Sequence, residues 1–180
     1  MSFWIQPGNP QVLDADEVAD SFFEAIGLIY PPNTEYLVLS WNGVPVAVNY
    51  AEDLYVFVDD IIVLLEMVRG PEFSHTKLVT GASSFFTTWE IRREGAELII
   101  DSRWESVLGG YEFLLNERGS LRLTTADFAR EWLKVLRRLV DDVTSKAVRM
   151  EDDAMFLRAR ALLADHGEPG GHEIYKGPCP

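Results

Sequence analysis

YLVLSWNGVPVAVNY (Tyr36 to Tyr50) carries the strongest local signal in the chain. Asn-Gly between two apolar runs marks a type I′ hairpin turn, because both central residues of that turn need positive φ. A two-residue turn at Asn42-Gly43 sets Trp41 opposite Val44, Leu39 opposite Val46 and Leu37 opposite Val48. All six are apolar and share one face. The other face pairs Ser40 with Pro45, Val38 with Ala47 and Tyr36 with Asn49. The register demanded by the turn thus agrees with the register demanded by burial, one face packing on a core and the other wetter.

On the C-terminal side, LYVFV (Leu54 to Val58) predicts a third strand. Asp59 then starts a helix through Ile61, Ile62, Leu64, Leu65 and Val68, which Gly70-Pro71 breaks. On the N-terminal side a helix is predicted from Asp14 to about Gly27, with Asp14 as cap, Gly27 as terminator and an apolar stripe of Val18, Phe22, Ile26 and Ile29. Its other face carries Asp16, Asp20 and Glu24 at i, i+4, i+8. Acids in a first turn complement the helix dipole, which accounts for Asp14, Asp16 and Glu17 but not for Asp20 and Glu24.

A second sheet region follows. Phe85, Thr87, Trp89 and Ile91 alternate with Phe86, Thr88, Glu90 and Arg92, Glu94-Gly95 turns the chain, and Leu98, Ile100, Ser102 and Trp104 return on one face. After Gly109-Gly110, the segments YEFLL and LRL predict another pair of strands. Thr124 or Thr125 caps a long helix, with Asp127 placed for a capping box. Phe128, Trp132, Val135, Leu136, Leu139 and Val143 form its buried stripe, and Arg130, Lys134, Arg137 and Arg138 form a basic face. Trp41, Trp89, Trp104 and Trp132 all fall on apolar faces and belong to the core, whereas Trp4 stands apart.

Hairpins joined by short turns, with helices laid on them, define an α+β fold: an antiparallel sheet of about six or seven strands and a long C-terminal helix. Residues 1–150 are expected to form a single domain, with 151–165 an appended helix that need not join the core and 166–180 a flexible Gly/Pro-rich tail. The chain has 180 residues, 47% of them hydrophobic and 12% aromatic, enough to bury a core. The start lacks the features of a signal peptide and no stretch is apolar enough to span a bilayer, so a cytoplasmic location is expected. The lone cysteine, Cys179, excludes an intrachain disulfide.

Charge is distributed unevenly. The first 68 residues hold eleven carboxylates and no Lys, Arg or His. From Arg69 onward eighteen acids face sixteen bases, so the net charge of −13 resides almost wholly in the first third. A one-signed surface attracts basic partners and repels nucleic acid and anionic membrane, neither of which is expected as a partner.

No motif identifies a reaction. His166, His172 and Cys179 give H-x5-H-x6-C, which fits no compact zinc spacing, and His75 is isolated in PEFSHTK. TGASS lacks the G-K-[ST] of a phosphate loop, and no Ser sits in G-x-S-x-G. Asp59-Asp60, Asp141-Asp142 and Glu151-Asp152-Asp153 are adjacent in sequence, so their side chains diverge on a helix. No catalytic residue, metal or cofactor is expected.

The stretch from Trp89 to Val143, two hairpins running into a long helix with an F-x-x-E-W core (Phe128, Glu131, Trp132), resembles the immunity proteins of bacterial toxin systems. That resemblance implies a small acidic cytoplasmic protein that binds and neutralises a cognate, basic toxin. It carries over no functional residue, since such families meet their toxins through different surfaces. The opening order of helix, strands and helix also resembles the acidic secretion chaperones of bacterial effectors, and an enzyme of unrecognised type is a further alternative. In the binding readings the acidic first third meets the partner, through Asp16, Asp20 and Glu24 on the first helix and Glu52, Asp53, Asp59 and Asp60 around the third strand. The competing surface is the basic face at Arg137 and Arg138.

Overall fold

The computed structural model describes residues 2–15, 17–146, 148–150 and 153–165. The chain opens with β1 (Phe3–Gln6) and a two-residue strand, β2 (Val18–Ala19), ahead of α1 (Phe22–Ile29). The first helix therefore begins eight residues later than Asp14. Ser21 is its N-cap and accepts the Glu24 N–H, while the Glu24 carboxylate accepts the Asp20 N–H at 2.7 Å. This S-x-x-E box fixes the start. Asp14 instead pairs with Lys146, and Gly27 lies inside α1 because a side chain there would press on the Tyr55 ring.

The hairpin forms as its turn requires. Strands β3 (Leu37–Trp41) and β4 (Val44–Val48) pair in the expected register, and Asn42 and Gly43 hold φ of 46° and 81°. β1 adds to the other side of β3, giving a sheet of order β1-β3-β4.

The third strand is not a strand. A single π-helical turn, Tyr50–Leu54, runs directly into α2 (Tyr55–Arg69), so LYVFV is the start of a helix. Asn49 explains why, since its side-chain Oδ1 accepts both the Ala51 and Glu52 N–H groups and launches helical geometry. Leu54, Phe57, Val58, Ile61, Ile62 and Leu65 then recur at helical spacing and are all buried. Asp59 accordingly sits in the second turn and caps nothing.

A four-stranded antiparallel sheet follows, in the order β5 (His75–Ala82), β6 (Phe85–Glu94), β7 (Glu97–Val107) and β8 (Leu121–Thr124). β5 runs through PEFSHTK and TGASS, which carry too much polarity to announce a strand. Of the two strands predicted after Gly109-Gly110, LRL forms β8, whereas YEFLL forms a short helix, α3 (Glu112–Glu117). Its Asn116 side chain accepts the Trp104 N–H and donates to the Trp104 carbonyl, occupying the place a strand neighbour would take. Thr124 and Asp127 bond reciprocally at the start of α4 (Thr125–Ser145). After β9 (Arg149–Met150), which pairs in parallel with β2, comes α5 (Ala154–Asp165).

The appended helix belongs to the core. Ala159 and Leu162 of α5 are buried, Phe156 meets the Phe22 ring at 5.3 Å, and Arg158 grips Glu66 of α2 with its guanidinium. Residues of the predicted tail, 166–180, lie outside those described.

One aromatic network joins the layers. Trp41 of β3 stacks on Trp89 of β6 at 5.0 Å and meets Trp104 of β7 edge-on at 5.3 Å. Phe3 of β1 packs on both Trp41 and Phe128 of α4, while Phe57 of α2 contacts Phe85 and Trp132. Truncating the central Trp41 to Ala removes contacts to both sheets at once. That substitution should lower unfolding free energy by about 3–5 kcal/mol, read from urea denaturation; a loss below about 1 kcal/mol would mean that the sheets are held together elsewhere.

Candidate functional site

The seven acidic residues singled out in the sequence separate once folded. Asp16 lies outside the described residues. Asp53 is 0% exposed and leaves the surface set, because its carboxylate accepts the Ser84 hydroxyl at 2.7 Å, the Ser84 N–H and the Asn49 N–H. It is a structural tie between the π-helical turn and the β5–β6 turn. Glu24 is exposed yet occupied at the start of α1, so helix-end chemistry accounts for it after all.

Four of the acids lie next along the chain to an exposed Phe23 and a half-buried Tyr55 in mutual contact, a pair that sequence reasoning missed. Phe23 of α1 lies against Tyr55 of α2 at 5.3 Å and remains 40% exposed, and Val56 beside it is 48% exposed. Glu52 is one turn before Tyr55, Asp59 is one turn after it, and Asp60 is one turn after Val56. Asp20 sits at the mouth of α1, three residues ahead of Phe23. The clue was in the sequence: of the adjacent Phe22 and Phe23, only Phe22 fits the apolar stripe of Val18, Ile26 and Ile29.

The patch is thus an apolar centre with an acidic rim, the anatomy of a protein interface with an aromatic anchor. Among the described residues Asp20, Glu24, Glu52 and Asp60 make no ion pair. The basic face of α4 is different. Arg130 pairs with Asp127, Lys134 with Glu131 and Arg138 with Asp142, which leaves Arg137 as the one exposed cation there without a pair among the described residues. Arg138 also reaches Asn9 and the Pro10 carbonyl, so it braces the N-terminal segment and does not project.

Asp59 is the strained member of the group. It is half-buried, and its Oδ1 has no hydrogen-bond partner among the described residues. Burial, then the neighbouring carboxylates Asp153 and Asp60, push its carboxyl above the usual range despite nearby Arg158. Partial burial raises Asp60 as well.

Among the described residues no three His, Cys, Asp or Glu side chains converge as a metal would need, and His75 pairs with Glu90 on the open face of the four-stranded sheet. A groove of about 720 Å³ between the end of α4 and the start of α5 is lined by Val143, Val148, Phe156 and Arg160 among others. Its lining also includes Asp141, Thr144, Ser145 and Asp153. No helix among the described residues is long and apolar enough to cross a membrane.

The Asp59 environment makes a pH-dependent prediction. Its folded carboxyl binds a proton more tightly than the unfolded one, so its effect on stability is most favourable at low pH and worsens as pH rises through the folded value. Asp59→Asn should therefore raise the thermal midpoint at pH 7. The gain should shrink toward pH 3. Equal gains at both pH values would show that charge at Asp59 is not the cause.

The chain matches no protein-family model, no curated protein and no solved structure.

Proposed function

We propose that the chain is an acidic immunity protein that binds a cognate basic protein toxin in the cytoplasm and covers its active surface. The observation carrying this reading is the Phe23–Tyr55–Val56 patch, an exposed apolar centre flanked by Asp20, Glu52, Asp59 and Asp60. Aromatic anchors supply most of the energy of a protein interface, and a one-signed rim speeds encounter with a partner of the opposite charge. Internal pairing of Arg130, Lys134 and Arg138 supports the same choice of surface, because it leaves only Arg137 of the competing basic face without an ion pair among the described residues. The resemblance of Trp89 to Val143 to immunity proteins supplies the biological setting.

Co-expression with the toxin encoded beside the chain's gene tests this reading. Growth should be rescued by the wild-type chain and lost with Phe23→Ala, which should weaken binding by roughly 2 kcal/mol, or about thirtyfold in Kd. Asp20→Lys combined with Asp60→Lys should slow association several-fold and flatten its salt dependence. Both variants leave the buried stripe intact, so their folds should not change. Raised solubility or export of a neighbouring effector, without growth rescue, would replace immunity with the chaperone reading.

A further inference from the structure

In the two larger sheets, three of the four outer strands are closed by identifiable groups. On β1, the outward Ile5 N–H donates to the Glu131 carboxylate at 2.7 Å. On β4, Pro45 has no N–H to offer, and its carbonyl accepts the Tyr111 hydroxyl. On the four-residue β8, the preceding Ser120 carbonyl accepts the Asn42 side chain across from the hairpin tip. Open edges invite pairing with other chains, and these devices blunt it.

β5 has no such device. Arg93 donates to the Ser74 carbonyl, which fixes the ladder so that Thr76 and Leu78 bond to β6. The N–H and C=O groups of Lys77 and Val79 therefore point away from the sheet. They have no backbone partner among the described residues. Val79 is also 46% exposed, and Lys77 is held over the sheet face by Glu90. Beside this edge runs a second stripe of α2, Val56, Asp60, Val63 and Met67 at i, i+4, i+7, i+11, facing away from the buried stripe. Between strand and stripe lies a cavity of about 100 Å³ lined by Asp60, Val63, Leu64, Met67, Thr76, Lys77 and Leu78, the size of one large side chain.

We propose that the β5 edge and the outer stripe of α2 bind an extended peptide segment of the partner protein as an added strand, with one of its Lys or Arg side chains in the cavity against Asp60. Strand addition supplies affinity through main-chain hydrogen bonds and specificity through pockets for alternate side chains, and both halves of that mode are present here. The basic side chain follows from charge. Asp60 has no ion pair among the described residues, and the one cation lining the cavity, Lys77, is engaged by Glu90. The basic character of the partner rests on the proposed function, but the edge geometry does not.

The test titrates the full ¹⁵N-labelled chain with a capped hexapeptide of alternating valine and arginine, followed by amide NMR and hydrogen exchange. The control is the same peptide with glutamate in place of arginine. The basic peptide should shift and protect the Lys77 and Val79 amides and shift α2 near Asp60. Methylating the peptide nitrogens that face β5 should weaken binding by about tenfold or more, a result that needs no change to the protein. Val79→Pro, which removes an outward N–H and no ladder bond, should do the same. Asp60→Asn should abolish the preference for arginine over glutamate. No perturbation of β5 at millimolar peptide would overturn the proposal. So would Lys77 and Val79 amides already protected in the free chain together with a concentration-dependent mass, which would assign the edge to a second copy. Because the probe is synthetic, either result leaves the toxin co-expression test untouched.

Discussion

The stack of Trp41 on Trp89 is the contact on which the remaining architecture depends. Neither sheet alone encloses a core. The three-stranded sheet offers one apolar face, and the four-stranded sheet offers another whose outer side is a lattice of Lys77, Glu90, Arg92, Asp101 and Arg103. Joining them edge to face through three tryptophans produces a surface broad enough for α2 and α4 to cover, through Phe57, Phe128 and Trp132. Rigid aromatic bodies suit this junction because they bury much area with few rotamers and interlock at fixed angles. The indole N–H groups of Trp41, Trp89 and Trp132 find no partner among the described residues, whereas that of Trp104 reaches Ser102. Packing outweighs that polar cost at the centre of the molecule.

Buried polar side chains then fix where the surface elements sit. Glu131, nearly inaccessible in the middle of α4, accepts the Ile5 N–H and is flanked by Arg130 and Lys134. This explains the F-x-x-E-W pattern physically: Phe128 packs on Phe3, Glu131 closes the strand edge, and Trp132 enters the aromatic network. Asp53 performs the equivalent task for the π-helical turn by holding Ser84. Tyr30 donates to Asp142, which also takes Arg138, while Tyr50 donates to the Pro7 carbonyl. Burial, together with the Asp142 carboxylate, pushes both tyrosine hydroxyls well above their ordinary range, so they act as permanent donors. Each tie removes one degree of freedom between segments distant in sequence.

The parts of this fold that were legible in the sequence are those decided by local chemistry. The Asn42-Gly43 hairpin, the alternation from Phe85 to Trp104 and the Thr124 cap depend on neighbours in the chain and appear as predicted. Leu54 to Val58 misled because a short run of β-branched and aromatic residues suits either a strand or a buried helix, and the decisive Asn49 lies outside the run. YEFLL misled for the same reason, its helical state being stabilised by Glu112 and Asn116 bonds to β7. β1 and β5 have sequences that pair only because a partner strand arrives from elsewhere. For the site, the acidic rim was legible as composition, while its place beside the Phe23–Tyr55 contact was not, since that contact depends on α1 packing across the start of α2.

Folding turns the acidity of the first third from one property into several. Asp53 becomes an internal fastener, Asp14 and Glu66 become ion-pair partners of Lys146 and Arg158, and Glu24 becomes part of a helix start. Glu17 and Glu35 stay exposed elsewhere, and a smaller set, Asp20, Glu52, Asp60 and the half-buried Asp59, lies beside the exposed Phe23 and Val56. If solubility were the only requirement, spreading these charges evenly would lower their mutual repulsion and relieve the unpartnered oxygen of Asp59. Their concentration works against stability and follows the outer side of α2 from the Phe23 patch to the free edge of β5. A single basic partner contacting both would meet one continuous surface. α2 is the element that makes the two features neighbours, its buried stripe held by Phe57 and its outer stripe left facing water.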